Sequence, residues 1–316
     1  MTAGIVQGPF PIRTEDIAAV NRVFSDAFTE RYRRDGMVGV RVPTLNPAIW
    51  RFSLEDAGSG AMLWRDGDGA IAAFNVAHRS GIEGWMGPLV VRPDLQGRGL
   101  GTDTVRAGIA WLSAQGAKVI GLETMPRTVD NIGFYSSLGF VLGRLTVTFT
   151  LDAAPGDDVD RIGRHGAAEQ DALVAECTAL TQVVLGGYDF TREIRLTASL
   201  GLGDTLLLRE RGTLIGFAVC HTAPLVEGRA REELRVLKVV LADACHTPAL
   251  ARLLAAFARE SSTARAAIRV QADYESAYRD IVGAKARVRW TDLRMTLGGY
   301  PERRAERGVV FSNWEI

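Results

Sequence analysis

The turn Gln96-Gly97-Arg98-Gly99-Leu100-Gly101 narrows the choice of folds more than any other stretch of this chain. An apolar run over 87–91 stops at Arg92-Pro93, and an amphipathic pattern begins at Thr102. Val105, Ile109 and Leu112 recur at spacings of four and three, which places them on one face of a helix. Strand, glycine turn and helix N-terminus together form an anion site. Glycine lets the backbone approach a ligand closely, and the first amides of the helix have no internal acceptor. The amides of Gly97, Arg98, Gly99, Leu100, Gly101 and Thr102 are therefore expected to bind a phosphate-bearing cofactor. The Arg98 guanidinium is a further phosphate partner.

Spacing limits which cofactor it is. A Walker loop needs Lys followed by Ser or Thr after its last glycine, and neither is present. A dinucleotide fingerprint needs a third glycine three residues after the second, where this chain has Thr104. Glu123, about 20 residues beyond the loop, stands where a ribose-binding acid would lie, so a dinucleotide-binding protein stays open as an alternative.

The segment VVRPDLQGRGLG resembles the pyrophosphate loop of GCN5-related N-acetyltransferases (GNATs), Gln/Arg-x-x-Gly-x-Gly/Ala after a strand, here Gln96, Gly99 and Gly101. About forty residues on, FYSSLGF from Phe134 to Phe140 is similar to the family's second signature, a short helix ending in Tyr-x-x-Leu-Gly-Phe. The resemblance covers roughly residues 11–151. It implies an α/β fold of the mixed α+β kind, a twisted, mostly antiparallel sheet with flanking helices.

The same resemblance implies acetyl-CoA as cosubstrate, no metal, and direct acetyl transfer to a primary amine of a small molecule. Leu89, Val90 and Val91 would hydrogen-bond the pantetheine arm, and one of their amides would polarise the thioester carbonyl. Tyr135 would be the general acid that protonates the departing thiolate. An alkyl ammonium, with a pKa of ~10.4, must lose a proton before it attacks. Glu123 is the expected base, with Glu83, one strand earlier, as the other candidate. The family often has Asn seven residues before the Tyr. Here Thr128 holds that place and Asn131 lies four before, so either is a candidate for the cofactor contact. A CoA-binding sensor or scaffold without turnover is the other alternative.

The remaining classes are narrowed by composition. Of 37 basic and 37 acidic residues, 15 of each fall through Asp152 and 22 of each beyond it. Neither half carries the basic excess that would steer it to nucleic acid or an anionic membrane. Cys177, Cys220 and Cys245 have no paired spacing, which fits a reducing compartment. No signal-peptide pattern is visible, and no apolar run nears the ~20 residues a membrane helix needs. A cytoplasmic protein, monomeric or homodimeric, is expected.

Along the chain, the pattern predicts a strand at 11–13 and a helix from Thr14 with Ile17, Val20, Val23, Phe24 and Phe28 on one face. An irregular stretch, 31–47, follows. Strands are predicted at 61–65 and 70–77, joined by the hairpin turn Asp66-Gly67-Asp68-Gly69, then at 83–91, 117–124 and 140–151, the last broken at Gly143. A short helix runs through Ser137. Residues 153–158 read as a linker between a catalytic GNAT domain, 1–152, and a second unit, 159–316. In that unit the element order recurs: helix 170–185, hairpin 204–209 and 214–220, strand 233–241, helix 247–260, strand 266–271, helix 274–282, strand 288–297. This second copy has Ala242-Asp243-Ala244-Cys245-His246 where the first has its glycines, so a structural or cleft-forming role is expected of it. The four histidines show no ligand spacing and are expected at the surface or at strand ends. Trp64, Trp85 and Met86 are either pocket walls or core.

Overall fold

The computed structural model describes residues 6–315. Its elements, in chain order, are β1 (Gln7–Pro11), α1 (Ile17–Arg34), α2 (Pro47–Ala57), β2 (Ala61–Arg65), β3 (Ile71–Ser80), β4 (Glu83–Val91), α3 (Leu100–Ala114), β5 (Val119–Thr124), α4 (Val129–Ser137) and β6 (Phe140–Asp152). They continue with α5 (Ala167–Val184), α6 (Thr191–Ser199), β7 (Gly203–Glu210), β8 (Thr213–His221), β9 (Glu233–Leu241), α7 (Thr247–Glu260), β10 (Arg265–Gln271), α8 (Glu275–Gly283), β11 (Arg287–Leu297) and β12 (Val309–Ser312).

Local chemistry explains several boundaries. Asn46 caps α2 by accepting from the Ala48 amide, Pro47 supplies the first-turn φ, and Gly58 ends the helix. The hairpin turn between β2 and β3 closes on Asp66, whose Oδ1 accepts from the amides of Asp68 and Ala70. Arg31, Arg33 and Arg34 stand in the last turn of α1, where cations complement the helix dipole.

All the strands belong to one sheet, ordered β1-β2-β3-β4-β5-β11-β6-β10-β9-β8-β7, with β12 beside β9. Helices cover both faces. α3, α4, α7 and α8 pack on one, around Val105, Leu112, Leu254 and Ile281. α1, α2, α5 and α6 pack on the other, around Val20, Trp50, Val174 and Ile194.

The two halves of the chain trade strands at the centre of this sheet. β6, from the first half, pairs with β10 of the second from Gln271↔Thr146 to Arg265↔Asp152. β11, from the second half, pairs with β5 of the first from Leu293↔Thr124 to Thr296↔Gly121. The segment 153–158 is thus a linker in sequence, while in the sheet each half is completed by a strand of the other.

Several sequence expectations need correction. The first strand is Gln7–Pro11 rather than 11–13, α1 runs on to Arg34, and α3 begins at Leu100 rather than Thr102. β6 continues through Gly143, absorbing it in a register shift against β11. The sequence reading missed α2, α6 and β12. His78 and His221 stand at or near strand ends but are buried, not superficial. His78 meets Asp56 at 2.6 Å, and burial pushes its pKa below the ordinary value. Trp64, Trp85 and Met86 are core. Among the described residues no helix is long and apolar enough to cross a membrane.

Candidate active site

β4 and β5 run parallel but pair only from Glu83↔Val119 to Met86↔Leu122. Beyond Met86 comes Gly87-Pro88, and proline has no amide proton to continue the ladder. Leu89, Val90 and Val91 keep their pairing with Asn75, Phe74 and Ala73 of β3 but have no β5 partner. The two strands therefore open into a cleft at their C-terminal ends, and the glycine turn stands at its mouth.

The turn is built to expose its backbone. Gly97 and Gly99 have φ of 76° and 87°, a region where a side chain is strained. A Cβ at either would meet nothing within 4 Å, so the outer surface of the turn is open. Gly101, already inside α3, leaves only 3.3 Å to Phe134 and lets α4 pack close. Among the described residues, none of the amides of Gly97, Arg98, Gly99, Leu100, Gly101 or Thr102 has a protein acceptor. The side chain of Gln96 braces the turn: Nε2 donates to the Val91 carbonyl at 3.1 Å, and Oε1 accepts from Arg34 at 2.9 Å.

The matching place in the second half is closed. β9 pairs with β10 only from Glu233↔Arg265 to Arg235↔Ala267. Beyond that point β12 fills the edge, from Ser312↔Lys238 to Val309↔Leu241. In the turn after β9, four amides already have acceptors within the protein. The Ala242 amide donates to Ile215, Ala244 to Arg307, His246 to the Asp243 carbonyl, and Cys245 to the Asp243 carboxylate.

α4 stands on the α3 face of the cleft. Tyr135 is buried there, its ring 5.2 Å from Phe134 and 6.0 Å from Phe140, centroid to centroid. Burial pushes its phenol up to about 12, so it keeps its proton throughout the neutral range. Thr128, at the start of α4, donates to Asp35 at 2.6 Å, and Asn131 reaches Thr124 at 3.4 Å. With Arg31 paired to Asp130 at 3.1 Å, the end of α1 ties α4 to the glycine turn through Arg34 and Gln96.

The carboxylate of Glu123 lies on the opposite face of the sheet from Tyr135, with its side chain 3% exposed. Arg294 approaches at 2.8 Å, Thr146 donates at 2.6 Å, and Arg269 donates to the other oxygen. Although burial opposes ionisation, the two guanidinium charges prevail and hold the pKa down at about 2. A carboxylate so weakly basic, with both oxygens occupied, is a poor proton acceptor near neutrality. These contacts speak against the expectation that Glu123 is the base, and they make its carboxylate the counter-charge of two buried arginines. The same contacts weigh against Glu123 as a ribose-binding acid, the feature that favoured the dinucleotide alternative.

Glu83 is anchored as well. Its oxygens accept from Ser312 at 2.6 Å and Trp314 at 2.9 Å, and Lys238 lies 3.9 Å away. It opens β4, six residues and about 20 Å before Leu89 at ~3.3 Å per residue. It fastens the C-terminal segment under the sheet and is not placed to act on a thioester.

A groove of about 280 Å³ separates the α1–α2 connection from the second half, lined by Pro43, Leu225, Arg229, Glu233, Arg265 and Arg289. It lies on the α1, α2, α5 and α6 face, and the second half supplies most of its wall.

Comparison with known proteins agrees with this geometry. Residues 21–140 match the model of the acetyltransferase (GNAT) family. No curated protein matches the sequence. Among solved structures, the chain is similar to a putative acetyltransferase from Pyrococcus horikoshii, at 17% identity and a TM-score of 0.70 over 99% of this chain and 96% of that one. It is also similar to a GCN5-related N-acetyltransferase from Sphaerobacter thermophilus, at 14% identity and a TM-score of 0.59 over 99% and 98%. A tandem GNAT protein from the clavulanic acid biosynthesis pathway matches at 12% identity and a TM-score of 0.56, over 95% of this chain and all of that one. At such identities these structures speak to the fold, and the family match rests on residues 21–140. That segment is thus similar in sequence to the acetyltransferase (GNAT) family, and the whole chain shares its fold with these solved structures.

Proposed function

We propose that the first half of the chain binds acetyl-CoA in the cleft between β4 and β5 and transfers its acetyl group to a primary amine on a small molecule. The observation that carries this reading is the set of unpaired amides from Gly97 to Thr102 at the cleft mouth, set against the filled cleft of the second half. Those amides, with the α3 dipole, hold the pyrophosphate, and Arg98 adds a charge. The free edge of Leu89, Val90 and Val91 holds the pantetheine arm and offers an amide to the thioester oxygen as it becomes an oxyanion. Thr128 and Asn131 border the same space. Tyr135, protonated at working pH, delivers a proton to the leaving thiolate. The second half is a degenerate copy that completes the sheet and walls the acceptor groove.

The test combines acetyl-CoA calorimetry with thiol release over a panel of amines. Binding with amine-dependent release is expected, and Tyr135→Phe should lower kcat about 10²-fold at nearly unchanged cofactor affinity. Binding without release from any amine would leave the sensor reading instead. Absence of binding would end the proposal.

A further inference from the structure

Glu123 and Glu83, the two carboxylates the sequence offered as bases, are both engaged by neighbours. The exchanged strand β11 brings a third carboxylate. Leu293 pairs with Thr124, the last residue of β5, so Asp292 sits just beyond it, one strand spacing (~4.8 Å) from the end of the opened cleft. It lies on the same face of the sheet as Arg294 and Glu123. The Asp292 side chain is 6% exposed. Oδ1 accepts from Trp290 Nε1 at 3.2 Å. Oδ2 lies 3.0 Å from Arg269 but outside hydrogen-bonding geometry, which leaves a buried carboxylate oxygen without a donor. Tyr32, from α1, stacks obliquely against Trp290 at 6.5 Å, and Trp290 is 37% exposed. Two aromatic rings beside a carboxylate suit an organic ammonium group, which gains from both. The adjacent Arg289 lines the groove, so this site adjoins the space between the halves.

We infer that Asp292, contributed by the second half, binds the acceptor ammonium and takes its proton before acetyl transfer. This rests on the acetyltransferase reading above. In the step proposed, R–NH3+ gives one proton to the Asp292 carboxylate. The free nitrogen then forms the C–N bond at the thioester carbonyl. The C–S bond breaks as Tyr135 protonates the sulfur, the amide nitrogen's second proton restores the phenol, and Asp292 releases its own proton to water. Charged and titratable groups face Asp292 from every packed element: Glu123 from β5, Arg269 from β10, Arg294 from β11 itself, Tyr32 from α1 and Glu315 from the C-terminal segment. Burial, and then Glu315, push the Asp292 carboxyl up to about 7, within reach of a base working at neutral pH.

The full chain and its Asp292→Asn variant would be compared for acetyl-CoA affinity and for the pH dependence of kcat/KM. The acceptor would be the best substrate among tyramine, glucosamine and glycylglycine. Asp292→Asn should keep the cofactor Kd, lose kcat/KM at least 10²-fold at pH 7, and lose the acidic limb of the profile. Asp292→Glu should recover part of the rate. Trp290→Phe, which removes the donor to the carboxylate, should move that limb to higher pH. An Asn variant with wild-type rate and an unchanged limb overturns the role of Asp292 while leaving the transferase reading intact. If the Asn variant does not fold, an unmoved limb in Trp290→Phe overturns the proposal equally. A wild type that binds acetyl-CoA but acetylates none of these amines sinks both readings together.

Discussion

Glu123 shows how a residue's chemistry is set by neighbours that its local sequence does not reveal. Its guanidinium partners, Arg269 and Arg294, are 146 and 171 residues away along the chain. Replacing it with Gln leaves two buried arginines short of a counter-charge, which should cost about 3–5 kcal/mol of stability. The pH dependence follows from its depressed pKa. Unfolded, the carboxyl titrates near 4.5; folded, near 2. Above pH 4.5 it is ionised in both states and its stabilisation is fully present. As pH falls from 4.5 towards 2, the unfolded chain takes up the proton first, and about 3 kcal/mol is lost. Urea titrations from pH 7 to pH 2 should therefore show the difference between wild type and Glu123→Gln shrinking across that window. The acidic limb of activity should survive in the variant. Its disappearance would restore Glu123 as the base.

At the scale of elements, the glycine turn was legible because its function is written in local backbone freedom. Three glycines in five residues between an apolar run and a helical period leave few other uses, and the structure puts two of them at positive φ. Gly99→Ala should cost about 1–2 kcal/mol for a left-handed non-glycine residue and lower acetyl-CoA affinity about tenfold, equivalent to ~1.4 kcal/mol. Gly69→Ala, in a hairpin turn with a similar φ of 81° and equally open space, is the matched comparison. It should lose similar stability and no affinity. Equal affinity in the two variants would mean that the turn after β4 holds no pyrophosphate. Less legible were α2 and α6, whose faces are shared across the halves: Ile49 and Phe52 of α2 pack with Leu202 and Leu237. Periodicity marks an apolar face but says nothing of which partner will cover it. β12 is four residues long and buried throughout, too short to show alternation.

On the scale of the molecule, the exchange of β6 and β11 was invisible for the same reason. Both are long, plausible final strands, and sequence pattern sets which face a residue takes, not which neighbour its strand acquires. The exchange has a thermodynamic consequence. A chain ending at Asp158 would keep β6 but lose both its partners, β10 and β11, and would leave β5 with an uncovered edge. Open strands of this kind recruit other chains. The fragment 1–158 should therefore aggregate or unfold without a sharp transition, whereas the full chain should melt in one cooperative step that acetyl-CoA raises. Co-expression with 159–316 should return soluble protein, since each fragment carries the strand the other lacks. If 1–158 proved monomeric, melted sharply and bound acetyl-CoA as tightly as the full chain, the first half would be self-sufficient. β11 would then be dispensable, and Asp292 could not be its base.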